Sequence, residues 1–252
     1  MDVLMEISPD YEAKLRAAGL TTYNAFMTTT AGEALVKPGL GGRERIRLRL
    51  GEETVYLKRY GSVGPAVAEK ASVTLISDVG LPTMRLVAWG IGDDGGFVMV
   101  TEVPGDALSR RMDALRERFG DSPVVGDALA GQLGELAAKL HRADLVHRDL
   151  YADHIFVDVR DETLDLYLID LARVFPTRRR RWRWRLKDLA ALKYSLPSDW
   201  TALHWRTLLR AYQDTLARRL PPWAALIVAI RVRRMARHDR RRLRRSAEER
   251  DG

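Results

Sequence analysis

The stretch from Leu129 to Leu171 constrains the fold more than any other part of the chain. Leu129, Leu133, Leu136 and Leu140 recur at helical spacing, so they fall on one face of an amphipathic helix. That helix runs out at Leu140-His141. A short gap leads to His147-Arg148-Asp149-Leu150, then Tyr151-Ala152-Asp153-His154. Ile155–Val157 and Leu164–Ile169 read as two short strands around the Arg160-Asp161-Glu162-Thr163 turn, and Asp170-Leu171 lies just past the second strand. Helix, charged loop, hairpin and a further aspartate place two carboxylates on loops held by regular elements, where chemistry is usually carried.

The preceding half has a different rhythm. Ala34-Leu35-Val36 leads into the turn Pro38-Gly39-Leu40-Gly41-Gly42. Ile46, Leu48 and Leu50 then alternate with Arg45, Arg47 and Arg49, the period of a half-exposed strand. Thr54 to Tyr60 is rich in β-formers, Pro65 to about Val79 reads as a helix, and strands follow near Met84–Trp89 and Phe97–Val103. This half is predicted to be a small antiparallel sheet with one inserted helix. From about Arg183 the sequence reads as helix, interrupted at Pro197 and at Pro221-Pro222. Strands first and helices later is an α+β order. Cysteine is absent, which excludes disulfides, thiolate metal sites and cysteine nucleophiles.

Lys58, on the third strand, and Glu69, in the helix after it, complete a set of charged residues with Asp149 and Asp170. Glu69 is the one glutamate between Glu53 and Glu102. Their order and element types resemble the protein-kinase fold, with His147-Arg148-Asp149-Leu150 in the place of its catalytic loop. The resemblance implies a two-lobed α+β chain: an N-lobe over residues 1–103 with a small antiparallel sheet and one helix, and a mainly helical C-lobe over residues 104–252. Departures narrow the family. His154 stands five residues after Asp149, where protein kinases carry a metal-binding Asn, and no Ala-Pro-Glu follows Asp170-Leu171-Ala172. His-Arg-Asp-Leu-Tyr-x-x-His, Ile169-Asp170-Leu171-x-Arg173 and Lys187-Asp188-Leu189-Ala190-x-Leu192 together resemble the bacterial lipopolysaccharide core kinases, the heptose and Kdo kinases, from about Lys58 to Ser195.

That resemblance implies an ATP- and Mg²⁺-dependent kinase acting on a hydroxyl of lipid-linked core oligosaccharide. Asp149 would orient the hydroxyl or take its proton, with Arg148 and His154 beside it in the catalytic loop. Asp170 would hold Mg²⁺, Lys58 would meet the nucleotide phosphates and Glu69 would orient Lys58. Gly39 and Gly41 would cover phosphate, and the backbone at Glu102 and Val103 would meet adenine. Asp188 resembles the buried aspartate that ties down the catalytic-loop backbone; its ordinary reading is a solvent-facing helix acid. Two alternatives stay open: a kinase-like enzyme acting on protein or a small molecule, and a nucleotide-binding pseudokinase with a basic partner surface.

The formal charge of +8 conceals two objects. Residues 1–176 hold 20 basic and 27 acidic residues, whereas residues 177–252 hold 22 and 7. Arg178–Arg185 and Arg231–Arg245 carry most of the excess, interleaved with Trp182 and Trp184, which suits an anionic membrane surface with the two tryptophans at the headgroup level. No nucleic-acid-binding motif accompanies the arginines, so nucleic acid is not the expected partner. The acidic start MDVLMEISPDYEAK lacks a secretory pattern, and the longest apolar run, Trp223–Ile230, is too short to span a bilayer. The expected location is cytoplasmic, peripheral on the inner face of the membrane. The helix through Trp223–Val232 is read either as C-lobe core or as lying in the interface, and Arg240–Gly252 as a frayed end.

Overall fold

The computed structural model describes residues 2–35, 43–119, 123–160 and 163–251. The turn carrying Gly39 and Gly41 lies outside the described residues. The chain forms two compact units, Met1–Pro104 with Tyr167–Arg173, and Gly105–Leu166 with Val174–Gly252.

The N-terminal unit is built on a six-stranded antiparallel sheet. Its strands are β1 (Leu4–Ile7), β2 (Glu33–Ala34), β3 (Arg43–Leu50), β4 (Glu53–Tyr60), β5 (Leu86–Gly92) and β6 (Gly95–Thr101), in the order β1-β5-β6-β4-β3-β2. The alternation in β3 works as its period predicts. Ile46, Leu48 and Leu50 are buried, with Ile46 opposite Leu57 and Leu48 opposite Val55. Helix α1 (Glu12–Ala17) and helix α2 (Tyr23–Thr28) cover this face through Leu15 and Phe26, with Leu20 from the connection between them, and Phe26 stacks on Phe97 at 4.3 Å between ring centroids. Arg59 fixes the end of α2 by donating to the carbonyl oxygens of Phe26, at 2.8 Å, and Thr29. Helix α3 (Val63–Asp78) packs on β4, β5 and β6. With helices on both faces, β6 is buried at every position. The sheet therefore carries three helices rather than the single one expected. The two extra helices are six residues each, too short to announce themselves by periodicity.

In the C-terminal unit β7 (Asp106–Ala107) leads into α4 (Leu108–Phe119) and α5 (Pro123–Arg142), followed by β8 (Leu145–Val146), β9 (Ile155–Arg160) and β10 (Thr163–Leu168). β11 (Phe175–Pro176) pairs with β8, and α6 (Arg181–Ser195), α7 (Ser198–Leu216) and α8 (Ala224–Asp251) complete the chain. The four leucines that predicted α5 are all buried. α5 and α7 approach closely because Gly134 presents no side chain: a Cβ there would lie 2.3 Å from the carbonyl oxygen of Leu208 and 2.9 Å from the amide nitrogen of Tyr212. Gly131, one turn earlier on α5, has open space at the same point.

In the basic third, Trp182 and Trp184 sit half-buried on the first turn of α6, with ring partners inside the protein. Trp182 faces the guanidinium groups of Arg185 (5.6 Å) and Arg218 (5.5 Å), and Trp184 meets Phe175 edge-on at 5.3 Å. Stacking on arginine gives an aromatic ring a partner that needs no bilayer. The stretch read as frayed is a continuation of α8, which runs as helix to Asp251. At the start of α8, Ala224 and Val228 are core, as one reading of that stretch expects, while Trp223 and Leu226 are exposed.

A buried polar cluster joins α5, α6 and α7. His141 is fully buried; its Nδ1 accepts from the Tyr212 hydroxyl at 3.0 Å and its Nε2 donates to the Asp188 carboxylate at 3.3 Å. Burial holds the imidazole pKa below its ordinary 6.5, against the pull of Asp188, so His141 is neutral in the folded chain.

Two stability experiments follow from this packing. Gly134→Ala is expected to cost about 2 kcal/mol and lower Tm by roughly 5 °C, because the obstructing atoms are backbone. Gly131→Ala is expected to leave Tm unchanged or raise it, since alanine is the better helix former by about 1 kcal/mol. Thermal melts of the two variants check the contrast. For His141, the unfolded state takes up a proton as pH falls through 6.5 while the folded state does not, so stability is present above that value and is lost below it. Tm should fall between neutral pH and pH ~5.5, with a limiting slope of about 1.4 kcal/mol per pH unit, and His141→Gln should flatten that slope.

Candidate active site

The site residues divide between the two units, and each group is built locally. In the N-terminal unit Lys58 and Tyr60 stand two apart on β4 and so share a face, the one turned to α3. From α3, Glu69 receives the Lys58 ammonium on one carboxylate oxygen and the Tyr60 hydroxyl on the other. Glu69 is fully buried and the Lys58 side chain is 9% exposed. Burying a carboxylate at that depth is costly, and a partner on each of its two oxygens offsets the cost here. Tyr60, which sequence reasoning passed over, supplies the second of those partners.

Asp170 belongs to the same unit. The end of β10 is fastened by Leu168 N–H to Pro82 O at 2.9 Å and by Thr83 Oγ1 to Leu168 O at 2.6 Å. The next turn, Leu171–Arg173, is a short 3-10 helix with Leu171 buried. Between these anchors Asp170 has φ +55, the left-handed region, a conformation costing roughly 1–2 kcal/mol that the flanking contacts hold in place. Glu102 and Val103 follow β6 directly. The Glu102 N–H donates to Thr54 O at 2.9 Å, and its carboxylate accepts from Tyr56 at 2.6 Å.

In the C-terminal unit the loop from His147 to His154 is clamped onto one helix, α6, at three points. Asp188, fully buried, accepts from the His147 backbone N–H at 2.8 Å. Lys187 donates to the Arg148 carbonyl oxygen, and its Nζ lies 3.5 Å from Asp149 Oδ1. Ser195 Oγ accepts from the Ala152 N–H at 2.7 Å. Asp188 and Ser195 are seven residues apart on the helix, two turns, and hence on one face. Asp188 is thus the buried tether that its sequence position suggested. Lys187 and Ser195 were not singled out from the sequence, although they lie beside Asp188 and two turns after it; the direction of Lys187 becomes visible only once the loop is folded against α6.

The rest of the loop is held from within. His154 Nδ1 donates to the Asp149 carbonyl oxygen at 2.7 Å, and its ring stacks on His147 at 5.9 Å and meets Tyr151 edge-on at 6.1 Å. His154 therefore braces the Asp149 backbone. Arg148, with φ +70, points its guanidinium over the rings of Phe175 (5.7 Å) and Trp184 (5.4 Å). Asp149 itself keeps an 18% exposed side chain.

Among the described residues no group of three or more His, Asp or Glu side chains forms a metal cage. Mg²⁺ characteristically takes one or two carboxylates and completes its shell with substrate phosphate and water, so a single aspartate such as Asp170 fits that ion. His154, an imidazole already bonded to backbone, does not.

Comparison with known proteins agrees with this geometry. One curated relative, the lipopolysaccharide core heptose(I) kinase WaaP of Pseudomonas aeruginosa (strain PAO1), is 31% identical over 137 residues, 50% of this chain and 51% of that protein. The protein of the same name from Escherichia coli K12 is 27% identical over 130 residues, 48% and 49% of the respective chains. The chain thus spans about half the length of the curated relatives it matches. A solved structure of WaaP in complex with acyl carrier protein superposes with a TM-score of 0.72 at 25% identity, covering 94% of this chain and 99% of that one. The fold is α+β and protein-kinase-like. The model of the lipopolysaccharide kinase (Kdo/WaaP) family matches residues 55–212, from the strand that carries Lys58 to the tyrosine that closes on His141, and the chain belongs to that family.

Proposed function

We propose that the chain is an ATP-dependent phosphotransferase that phosphorylates a sugar hydroxyl of the lipopolysaccharide core. Heptose is favoured over Kdo as the acceptor, because both curated relatives are named as heptose kinases. The observation that carries the reading is the clamped loop: Asp149 is presented by a segment whose backbone is fastened to α6 by Asp188, Lys187 and Ser195. Phosphoryl transfer is mostly positioning and charge stabilisation, so a carboxylate fixed in this way is what the reaction requires. The buried Lys58–Glu69 pair, further held by Tyr60, supports nucleotide binding on the same grounds.

Asp149 orients the acceptor hydroxyl and receives its proton as the oxygen bonds to the γ-phosphorus and the bond to the β-phosphate oxygen breaks, releasing ADP. Lys58 neutralises nucleotide phosphate, with Glu69 and Tyr60 as its supports, and the backbone at Glu102 and Val103 meets adenine. Gly39 and Gly41 would cover the phosphates. Asp170 holds Mg²⁺, which supplies charge neutralisation on the phosphate oxygens. Arg148 and His154 act as positioning residues, the first seated on Phe175 and Trp184, the second bonded to the Asp149 carbonyl oxygen. Lys187 holds the Arg148 carbonyl oxygen, just before Asp149, and adds positive charge beside the Asp149 carboxylate.

The same reading places the protein on the cytoplasmic face of the inner membrane, held by its basic C-terminal third to the anionic surface bearing its lipid-linked acceptor. No helix among the described residues is long and apolar enough to cross a membrane. Exposed Trp223 and Leu226 at the start of α8, next to the arginines from Arg231 onward, support contact with the headgroup zone.

Transfer of labelled phosphate from Mg·ATP to purified core oligosaccharide tests the activity. Asp149→Asn should lower kcat by about 10²-fold or more with an unchanged circular dichroism spectrum; no transfer by the natural chain, or no effect of the substitution, would overturn the reading. Lys187→Met should lower kcat by roughly 10-fold or more and leave the KM for ATP nearly unchanged, with partial recovery in Lys187→Arg. Equal activity in all three forms would show that Lys187 does no more than fill space.

A further inference from the structure

A second charged site lies on the C-terminal unit, in the groove between α6 and α7. The cavity is about 980 Å³ and its wall carries Lys193, Arg206, Arg210, Arg218 and Arg219 around Trp205. One acidic side chain, Asp214, lines it as well. None of the five cations is in an ion pair among the described residues. Arg206 and Arg210 stand four apart on α7, a like-charge spacing that weakens a helix unless something offsets it.

The groove is constructed rather than incidental. Gln213 closes the end of α7: its carbonyl oxygen accepts from Arg218 N–H at 3.2 Å and its side-chain oxygen from Leu220 N–H at 2.8 Å. Ala217 takes φ +52 at the turn, where glycine is the usual choice, and the chain then returns Arg218 and Arg219 to the groove. Arg218 is pinned there against the ring of Trp182 at 5.5 Å. Lys193 enters from α6 with its ammonium 4.9 Å from the Trp205 ring centre. Its pKa is pushed down by burial alone, the mark of an ammonium taken from water without a carboxylate to receive it. Attraction of cations to the carboxyl end of α7 accounts for Arg218 and Arg219, and Arg210 also acts on Asp127, whose carboxyl is held down chiefly by its hydrogen bond to His204; neither accounts for Lys193 and Arg206.

We infer that this groove is a binding site for a phosphate-bearing anion, with Lys193 and Arg210 as its principal contacts and Trp205 as its floor. Guanidinium and ammonium donors converging on a concave surface match phosphate oxygens. The site is separate from the catalytic loop. Lys193 is six residues beyond Lys187 on α6, about 9 Å along the axis and about a third of a turn round it, so the two lysines leave the helix on different faces. The phosphate has two possible sources, a phospholipid headgroup or a soluble phosphorylated sugar, and both present the same monoester or diester chemistry. The inference does not rest on the proposed phosphotransferase activity.

The test uses the full chain, the double variant Lys193→Met/Arg210→Gln, and a charge-matched control, Arg16→Gln/Arg142→Gln, at exposed positions of α1 and α5. Glycerol 3-phosphate is titrated by calorimetry. Vesicles of phosphatidylcholine alone and with phosphatidylglycerol are tested by sedimentation at low and high salt. The groove variant should bind its probe at least about tenfold more weakly than the natural chain, the loss expected from two charge-assisted contacts, while the control keeps most of its affinity. Loss confined to glycerol 3-phosphate assigns the site to a soluble phosphate ester, and loss confined to anionic vesicles assigns it to a lipid headgroup. Equal weakening in the two double variants means diffuse charge attraction and overturns the site, as does failure of the natural chain to bind either probe. Asp149→Asn should bind as the natural chain does, so a failure of the catalytic reading leaves this result intact.

Discussion

The carboxylate of Asp188 is the point on which the C-terminal unit is organised. It is fully buried, and a buried carboxylate is costly unless its oxygens are bonded. Asp188 spends one oxygen on two partners, the His147 backbone N–H and the His141 ring. The first ties the loop that carries Asp149 to α6. The second ties α6 to α5, and through the Tyr212 hydroxyl to α7. Because His141 is kept neutral by burial, it donates from Nε2 and accepts at Nδ1, so the tautomer is set by its neighbours rather than by pH near neutrality. A loop fixed by such a network leaves little freedom for the residue it presents. That is a physical precondition for the proposed chemistry, in which geometry does more than base strength.

The Lys58–Glu69–Tyr60 group applies the same principle with a different balance. There the buried carboxylate has two oxygens and two partners, both from β4. The strand period makes that possible, since residues 58 and 60 must lie on one face. Tyrosine contributes a donor without charge, so the group remains close to neutral as a whole. Removing either partner would leave an uncompensated oxygen in the core, whereas replacing the whole group by apolar residues would cost less. Retention of an ion pair at this depth is better explained by what the lysine does than by stability.

Much of this was legible in the sequence wherever one physical rule acts alone. The α5 stripe of Leu129, Leu133, Leu136 and Leu140 and the β3 alternation of Ile46, Leu48 and Leu50 are direct readings of a period against burial. Lys58, Glu69, Asp149, Asp170 and Asp188 could be picked out because charged residues at element ends are informative by order. Three things were not legible, for different reasons. β1, α1 and α2 are short, and they are fixed by packing on the sheet rather than by their own periodicity. Lys187 and Ser195 act through direction, which depends on how the loop folds onto α6. Trp182 and Trp184 among arginines have the same composition whether the rings face lipid or guanidinium, and the structure gives them guanidinium.

That last point bears on the charge of the chain as a whole. A run such as Arg178–Arg185 invites the assumption that all of its charge is available to an external anion. In the folded protein Arg185 is buried, donating to His141 O at 2.6 Å and paired with Asp144 at 3.3 Å, and Arg181 pairs with Asp144 at 3.0 Å. These two arginines are structural and share one carboxylate. Among the described residues, positive charge without an ion pair lies at the exposed Arg178, Arg179, Arg180 and Arg183, on α7 and in the turn after it, at Arg206, Arg218 and Arg219, and along the exposed side of the last helix. Any anionic surface or ligand that the +15 segment recognises must be read from that distribution, because electrostatic attraction depends on charges left without partners, not on the number of arginines in the sequence.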